Sequence, residues 1–260
     1  MSQFPPHLVF EQQSVEGEVV QVWQQYDRRW LDFNDGLIQS EIILNNPEIL
    51  PLPLNRAMLA GILFANIPKR VLLAGTGGGA TARYFANCFP DVVGDAVEKS
   101  ETVSDIARQY FELPTGNNWQ IHTEDIVDYV QHCPHKYDLI IIDIAVNQKT
   151  PEWIIERNFL KQCRSLLTDK GHIALNLLVD DGNAFMHSLS AIRAVFDRHT
   201  ACLSLPNYRN TVIFAFKNVP ESLPAELREY LASLEASWGL EFGEFYQQML
   251  KDNPHNSGVF

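Results

Sequence analysis

The sequence predicts an α/β protein: a mostly parallel sheet covered by helices, preceded by a small antiparallel β domain. Three observations carry this. From Lys69 onward, apolar runs of strand type alternate with amphipathic runs of helix type, as in parallel sheets buried on both faces. Inside that alternation, Arg70-Val-Leu-Leu-Ala reaches a glycine cluster, Gly75-Thr-Gly77-Gly78-Gly79, and helical spacing resumes at Ala80. Residues 7–44 differ, with short runs rich in β-branched and aromatic residues between breakers.

Taken in order, those short runs are His7–Phe10, Val19–Trp23, Arg29–Phe33 and Leu37–Ser40. Glu16-Gly17, Tyr26-Asp27 and Asn34-Asp35-Gly36 separate them, the last a good hairpin turn. Asn45-Asn46-Pro47 and Pro51-Leu-Pro53 punctuate a boundary, so the expected domains are 1–50 and 51–260. Leu54–Phe64 has helical spacing. Val92–Val97 reads as a strand ending at Glu98, and Ser100 as the N-cap of a helix over 101–111. Trp119–His122 is a strand, followed by Glu124-Asp125 and a short helix over 126–131. Tyr137–Asp143 is a strongly apolar central strand. Pro151 starts a helical stretch and Phe159–Leu167 continues it. Asp169-Lys-Gly171 is expected to turn the chain into a strand over 172–178. A helix over 184–199, strands over 201–205 and 211–216, and helices over 224–235 and 243–251 complete the reading.

The chain has 260 residues and a formal net charge of −12, which lacks the basic footprint that nucleic-acid binding requires. No apolar run is long enough to span a bilayer, and Met1-Ser-Gln-Phe-Pro-Pro lacks the pattern of a signal peptide. Cys88, Cys133, Cys163 and Cys202 are scattered, as expected for free, mostly buried thiols in a cytoplasmic protein. His132-Cys133-Pro134-His135 is one short cluster and supplies no four-ligand metal site.

Glycines at 75, 77 and 79 permit a tight turn and close backbone approach to a ligand. The free N–H groups of the helix from Ala80 face that same ligand. Glu98 lies about twenty residues past the last glycine, where an acid meets a ribose. Asp125 and Asp143 each follow a later strand. In open α/β sheets ligands bind beyond the carboxyl strand ends, so a glycine loop and three acids there fit an adenosine-containing cofactor. The NAD fingerprint Gly-x-Gly-x-x-Gly fits less well, because the spacing here is Gly75-x-Gly77-x-Gly79 with Ala80 next. A cofactor without pyrophosphate fits better: S-adenosylmethionine or its decarboxylated form.

On these residues the chain resembles the spermidine synthase family, the polyamine aminopropyltransferases, over nearly its whole length. Asp35-Gly36-Leu-Ile-Gln39 matches the family's Asp-Gly-x-x-Gln, and Gly75–Thr81 its glycine loop. Val97-Glu98-Lys99-Ser100, Asp125, Asp143 and the Phe159–Gly171 segment match later elements. The resemblance implies a Rossmann-like methyltransferase fold with a seven-stranded sheet, no metal, a small-molecule acceptor such as a polyamine, and a homodimer. It also implies that Gln39, Gly75, Gly77, Gly78, Gly79, Glu98, Asp125, Ile126 and Asp143 hold the nucleoside cofactor. Glu98 would take the ribose hydroxyls, Asp125 the adenine amine, and Asp143 a catalytic role beside the acceptor.

Three positions depart from the family. Gly78 stands where the loop carries an Asp facing the aminopropyl ammonium. Asn55-Arg56-Ala57 stands nearest the usual Tyr-His-Glu. Asp143-Ile-Ala-Val146-Asn147 replaces Asp-x-x-Asp-Pro, so the second Asp, the family's base, is absent. An amine nucleophile with a pKa of about 10 needs its proton removed, and Asp143 is the only carboxylate nearby in sequence. Gly78 also removes a charge that would repel the carboxylate of intact S-adenosylmethionine, by several kcal/mol at an effective dielectric of about 20. The leading expectation is therefore a spermidine synthase-like transferase. The alternatives are a methyltransferase and a homologue that binds the nucleoside without catalysis. Trp23, Trp30 and Phe33 read as packing or interface residues, Trp153 as core, and Arg209 beside Tyr208 as solvated.

Overall fold

A computed structural model of the chain describes residues 4–14, 17–116 and 118–260. Met1–Gln3 and Glu16 of the first expected breaker lie outside them.

Strands β1 (His7–Gln13), β2 (Val19–Gln25), β3 (Arg28–Asp32) and β4 (Ser40–Ile43) form an antiparallel sheet in chain order. Alternation sends Val20, Val22, Leu31 and Ile42 to one face. There they form a buried cluster with Val103, Ile106 and Phe111, against which Phe33 also packs. Each such side chain contributes about 1.5–3 kcal/mol on burial. Trp23 and Trp30 pair across β2 and β3. The hairpin at Asn34-Asp35-Gly36 is wider than its sequence suggests, and β4 begins at Ser40 rather than Leu37. The reason is a side-chain network: Asp32 Oδ1 accepts from the N–H groups of Asp35 and Gly36, and Asp35 Oδ1 from that of Leu37. These bonds compete with the strand ladder, leaving Leu37 and Ile38 exposed in the loop.

After α1 (Pro53–Met58) and a 3₁₀ turn over Ala60–Phe64, strand and helix alternate. The order is β5 (Arg70–Ala74), α2 (Ala80–Cys88), β6 (Val93–Glu98), α3 (Glu101–Tyr110), β7 (Trp119–Thr123), α4 (Ile126–His132) and β8 (Tyr137–Ile142). Then come α5 (Arg157–Leu166), β9 (Leu167–Leu178), α6 (Gly182–Val195), β10 (Thr200–Ser204), β11 (Asn210–Phe216), α7 (Leu227–Trp238) and α8 (Phe242–Asp252). Their seven strands form one sheet in the order β10-β11-β9-β8-β5-β6-β7, with β11 antiparallel to both neighbours. The expected fold class is therefore observed. Contacts divide the chain into two compact units, Met1–Asn55 with Leu73–Tyr129 and Arg56–Leu72 with Val130–Phe260.

Several boundaries differ from expectation, two of them for a visible reason. No turn forms at Asp169-Lys-Gly171, and β9 runs straight through it. The β8–β9 register shifts between Tyr137 and Leu139, and the Tyr137 carbonyl comes so near Gly171 that a Cβ there would lie 2.7 Å away. Glycine thus absorbs an irregularity instead of ending the strand. Helix α6 starts at Gly182, not Ala184, because Asp181 accepts from the N–H groups of both Asn183 and Ala184. It stops at Val195, just before Asp197 and Arg198 turn to positive φ.

His172 on β9 is fully buried beside Gly61, Phe214 and Phe216, and neither ring nitrogen has a partner among the described residues. Burial lowers its pKa to about 4, against a weaker opposing effect of Asp138. Folded, it stays neutral while the unfolded chain protonates near pH 6.5, so stability is lost as pH falls from there toward about 4. The expected loss is of order 3 kcal/mol by pH 4. Thermal melts across that range should show His172→Leu losing less than the parent; an equal loss would assign the acid sensitivity elsewhere.

Candidate nucleoside site

The glycine turn follows β5, and its conformation requires glycine: φ is +81° at Gly75, +49° at Gly77 and +74° at Gly79. The loop is packed from behind. A Cβ on Gly78 would lie 2.6 Å from Ser40 Oγ, 2.9 Å from Ser40 Cβ and 3.1 Å from Phe111. A Cβ on Gly79 would meet Leu113 at 2.3 Å. Gly79 then caps α2.

Glu98, the last residue of β6, clamps this loop. Its Oε2 accepts from the N–H groups of Thr76 at 3.0 Å and Gly77 at 3.4 Å, and its Oε1 from that of Ser100 at 3.1 Å. A carboxylate offers about four acceptor positions, so roughly one remains open. Asp125 follows the neighbouring strand β7. Its Oδ1 caps α4 through the Val127 N–H at 2.9 Å, and its Oδ2 pairs with Lys99 at 3.1 Å. The Glu124 N–H donates to the Glu98 carbonyl, which ties the two strand ends together. Ile126 opens α4. Gln39 is exposed; its N–H donates to the Leu31 carbonyl, and Ser40 after it is the residue that abuts Gly78. The glycine turn, Glu98 and Asp125 are thus gathered in one unit, with Gln39 one residue from the loop's packing.

Two polar groups in the turn lack partners among the described residues: the N–H of buried Gly78 and the buried hydroxyl of Thr76. Such donors are satisfied by an acceptor from outside the chain, whether water or a ligand. The residues present therefore fit a ligand bearing oxygen or nitrogen acceptors.

Sequence reasoning missed Arg83. It lies on α2, is 1% exposed, and donates to four backbone carbonyls: Pro47, Gly78, Phe111 and Glu41. Burial lowers its pKa to about 10, so it is charged at neutral pH. The available signal was a charged residue at an interior position of the α2 helical period.

Asp143 belongs to the other unit and follows β8. Its Oδ1 accepts from Asn176 Nδ2 at 2.9 Å, and Asn176 Oδ1 accepts from Asn210 Nδ2 at 3.0 Å. Desolvation raises its pKa above the ordinary carboxylate range, and the Asn176 hydrogen bond offsets only part of that. Beyond it, Val146 and Lys149 exchange both backbone hydrogen bonds around Asn147 and Gln148, which have φ of +50° and +58°. That is a closed two-residue turn. Val146 is 54% exposed in it. Lys149 and Arg209 both pair with Asp180 on the surface, and Arg209 stays more than half exposed, as a solvated arginine should. Trp153 packs edge-on against Phe159. All four cysteines are free; Cys163 and Cys202 are buried and Cys88 is exposed. Among the described residues no helix is long and apolar enough to cross a membrane.

No family model matches the chain. The polyamine aminopropyltransferase of Chromobacterium violaceum is 30% identical over 241 residues, covering 92% of each chain. The chain belongs to the polyamine aminopropyltransferase family. Two solved structures agree with that placement in fold. A probable spermidine synthase from Corynebacterium glutamicum superposes with a TM-score of 0.72 at 20% identity, over 98% of this chain and 97% of its own. Human methyltransferase-like protein 13, solved in complex with SAH, gives 0.66 at 25% identity, over 72% of this chain and 93% of its own.

Proposed function

We propose that this aminopropyltransferase-family chain is a transferase that binds S-adenosylmethionine or its decarboxylated form and alkylates an amine, with a polyamine as the first acceptor to test. The observation that carries the reading is the glycine turn, backed by Ser40, Phe111 and Leu113 and clamped by Glu98 beside Asp125. Gly75, Gly77, Gly78 and Gly79 cradle the nucleoside, with Glu98 at the ribose, Asp125 and Ile126 at the adenine, and Gln39 at the rim. Asp143 orients the amine and takes its proton, a role its raised pKa suits. The sulfonium supplies an electrophilic carbon: the nitrogen–carbon bond forms as the carbon–sulfur bond breaks, chiefly through positioning. A cytoplasmic homodimer is part of the same reading.

One observation favours the methyltransferase alternative. At position 78 the chain presents an unpaired backbone N–H, which suits the carboxylate of intact S-adenosylmethionine and not an ammonium.

Incubation of the protein with putrescine and each cofactor separates these readings. Methylthioadenosine from the decarboxylated cofactor supports the first and adenosylhomocysteine the second; neither product overturns both and leaves a binding protein. Asp143→Asn should abolish the parent's rise in rate with pH. It should also raise the melting temperature at pH 7: a carboxyl whose folded pKa lies above its unfolded value costs stability once pH exceeds that unfolded value. A variant with an unchanged pH profile would remove Asp143 from the chemistry.

A further inference from the structure

The face of the N-terminal sheet opposite its buried cluster carries a groove. Alternation places Gln21 and Trp23 of β2 beside Trp30 and Asp32 of β3, with Gln21 opposite Asp32 and Trp23 opposite Trp30. With Pro6, Asn34 and Gly36 they line an open groove of about 380 Å³. The Trp23 indole is held in place, donating to Gln21 Oε1 at 2.9 Å, while Gln21 Nε2 donates to Glu11 Oε2 at 2.6 Å.

The charges of this face are unbalanced. Glu41 is paired with Arg28. Asp32 is only 8% exposed; its Oδ1 is occupied by the Asp35 and Gly36 N–H groups, and its Oδ2 has no partner among the described residues. Glu11 meets only the neutral Gln21 amide there. The groove therefore combines two half-buried indoles with one largely buried carboxylate, Asp32, that has no cationic partner, while exposed Glu11 lies outside the lining and reaches it only through Gln21. Indole faces attract cations, and a desolvated carboxylate with a free oxygen strengthens that preference.

We propose that this groove binds an organic ammonium, specifically an alkyl di- or polyamine, at a site separate from the nucleoside loop. The alkyl chain lies along the Trp23–Trp30 pair and an ammonium meets Asp32 Oδ2. The site does not depend on the transferase reading, since none of its residues is assigned a part in the chemistry.

Titration of the full chain with putrescine, followed by calorimetry and tryptophan fluorescence, tests this, with butanediol as the uncharged control. Saturable binding by the diamine and none by the diol is expected. Asp32→Asn keeps an acceptor for the hairpin loop and should weaken binding about tenfold. Trp30→Leu should abolish it, Trp30→Phe should restore part, and Asp143→Asn should leave it intact. Equal binding by the diol would overturn the proposal, as would loss with Asp143→Asn together with indifference to Trp30→Leu. Sedimentation showing that Trp30→Leu splits an oligomer, with no diamine binding by the parent, would also overturn it and make this face an interface between copies.

Discussion

Glu98→Ala should weaken binding of adenosylhomocysteine about a hundredfold, read by calorimetry. Hydrogen bonds to a charged group contribute about 1.5–3 kcal/mol, and every 1.4 kcal/mol is tenfold in affinity. Two losses combine. The free acceptor position proposed for the ribose disappears, and the N–H groups of Thr76, Gly77 and Ser100 lose the carboxylate that holds them. Glu98→Gln separates these effects, because its amide oxygen still accepts from part of the loop. It should cost about tenfold, between the parent and the alanine variant. The ligand-free alanine variant should also melt at a lower temperature than the glutamine variant. If both variants bind like the parent while their melting temperatures fall, Glu98 serves the loop alone and the ribose assignment fails.

Arg83→Met should destabilise the protein by several kcal/mol, because each buried acceptor left unsatisfied costs about 1–3 kcal/mol. Methionine fills much of the volume but leaves the carbonyls of Pro47, Glu41, Gly78 and Phe111 without their shared donor. Arg83→Lys should recover little. An ammonium is a point donor and cannot span four carbonyls as a planar guanidinium does. Urea unfolding of the three proteins checks this, and a loss below about 1 kcal/mol for methionine would mean that water replaces the guanidinium. Because Gly78 is one of the four partners, nucleoside affinity should fall along with stability.

The fold was legible because its signals are local. Strand runs such as Arg70–Ala74 and Tyr137–Ile142 are too apolar and β-branched to be exposed, and Ser100 announces its helix by capping chemistry. The loop after β3 was misjudged because Asp32 and Asp35 divert backbone donors that the apolar run at Leu37-Ile38 appeared to claim for a strand. Gly171 was misjudged because a glycine that ends a strand and one that accommodates an approaching carbonyl look alike in sequence. At the candidate site, the glycines and strand-end acids stand in a recognisable spacing. Arg83, Ser40, Phe111 and Leu113 do not, since they reach the loop only through contacts distant along the chain. Nor does sequence reveal that Asp143 is oriented through Asn176 and Asn210, which lie on two other strands.

The fit of Ser40 against Gly78 makes the choice of residue at each position depend on the other. Any side chain at 78, an acid included, collides first with the Ser40 hydroxyl and then with the Phe111 ring. Introducing an acid there in one step would be penalised before it could be tested for usefulness, whereas a prior change of Ser40 to glycine would remove the nearest obstacle. The chain is therefore epistatically locked into its present loop, and a library varying 40 and 78 together should recover combinations that neither position yields alone.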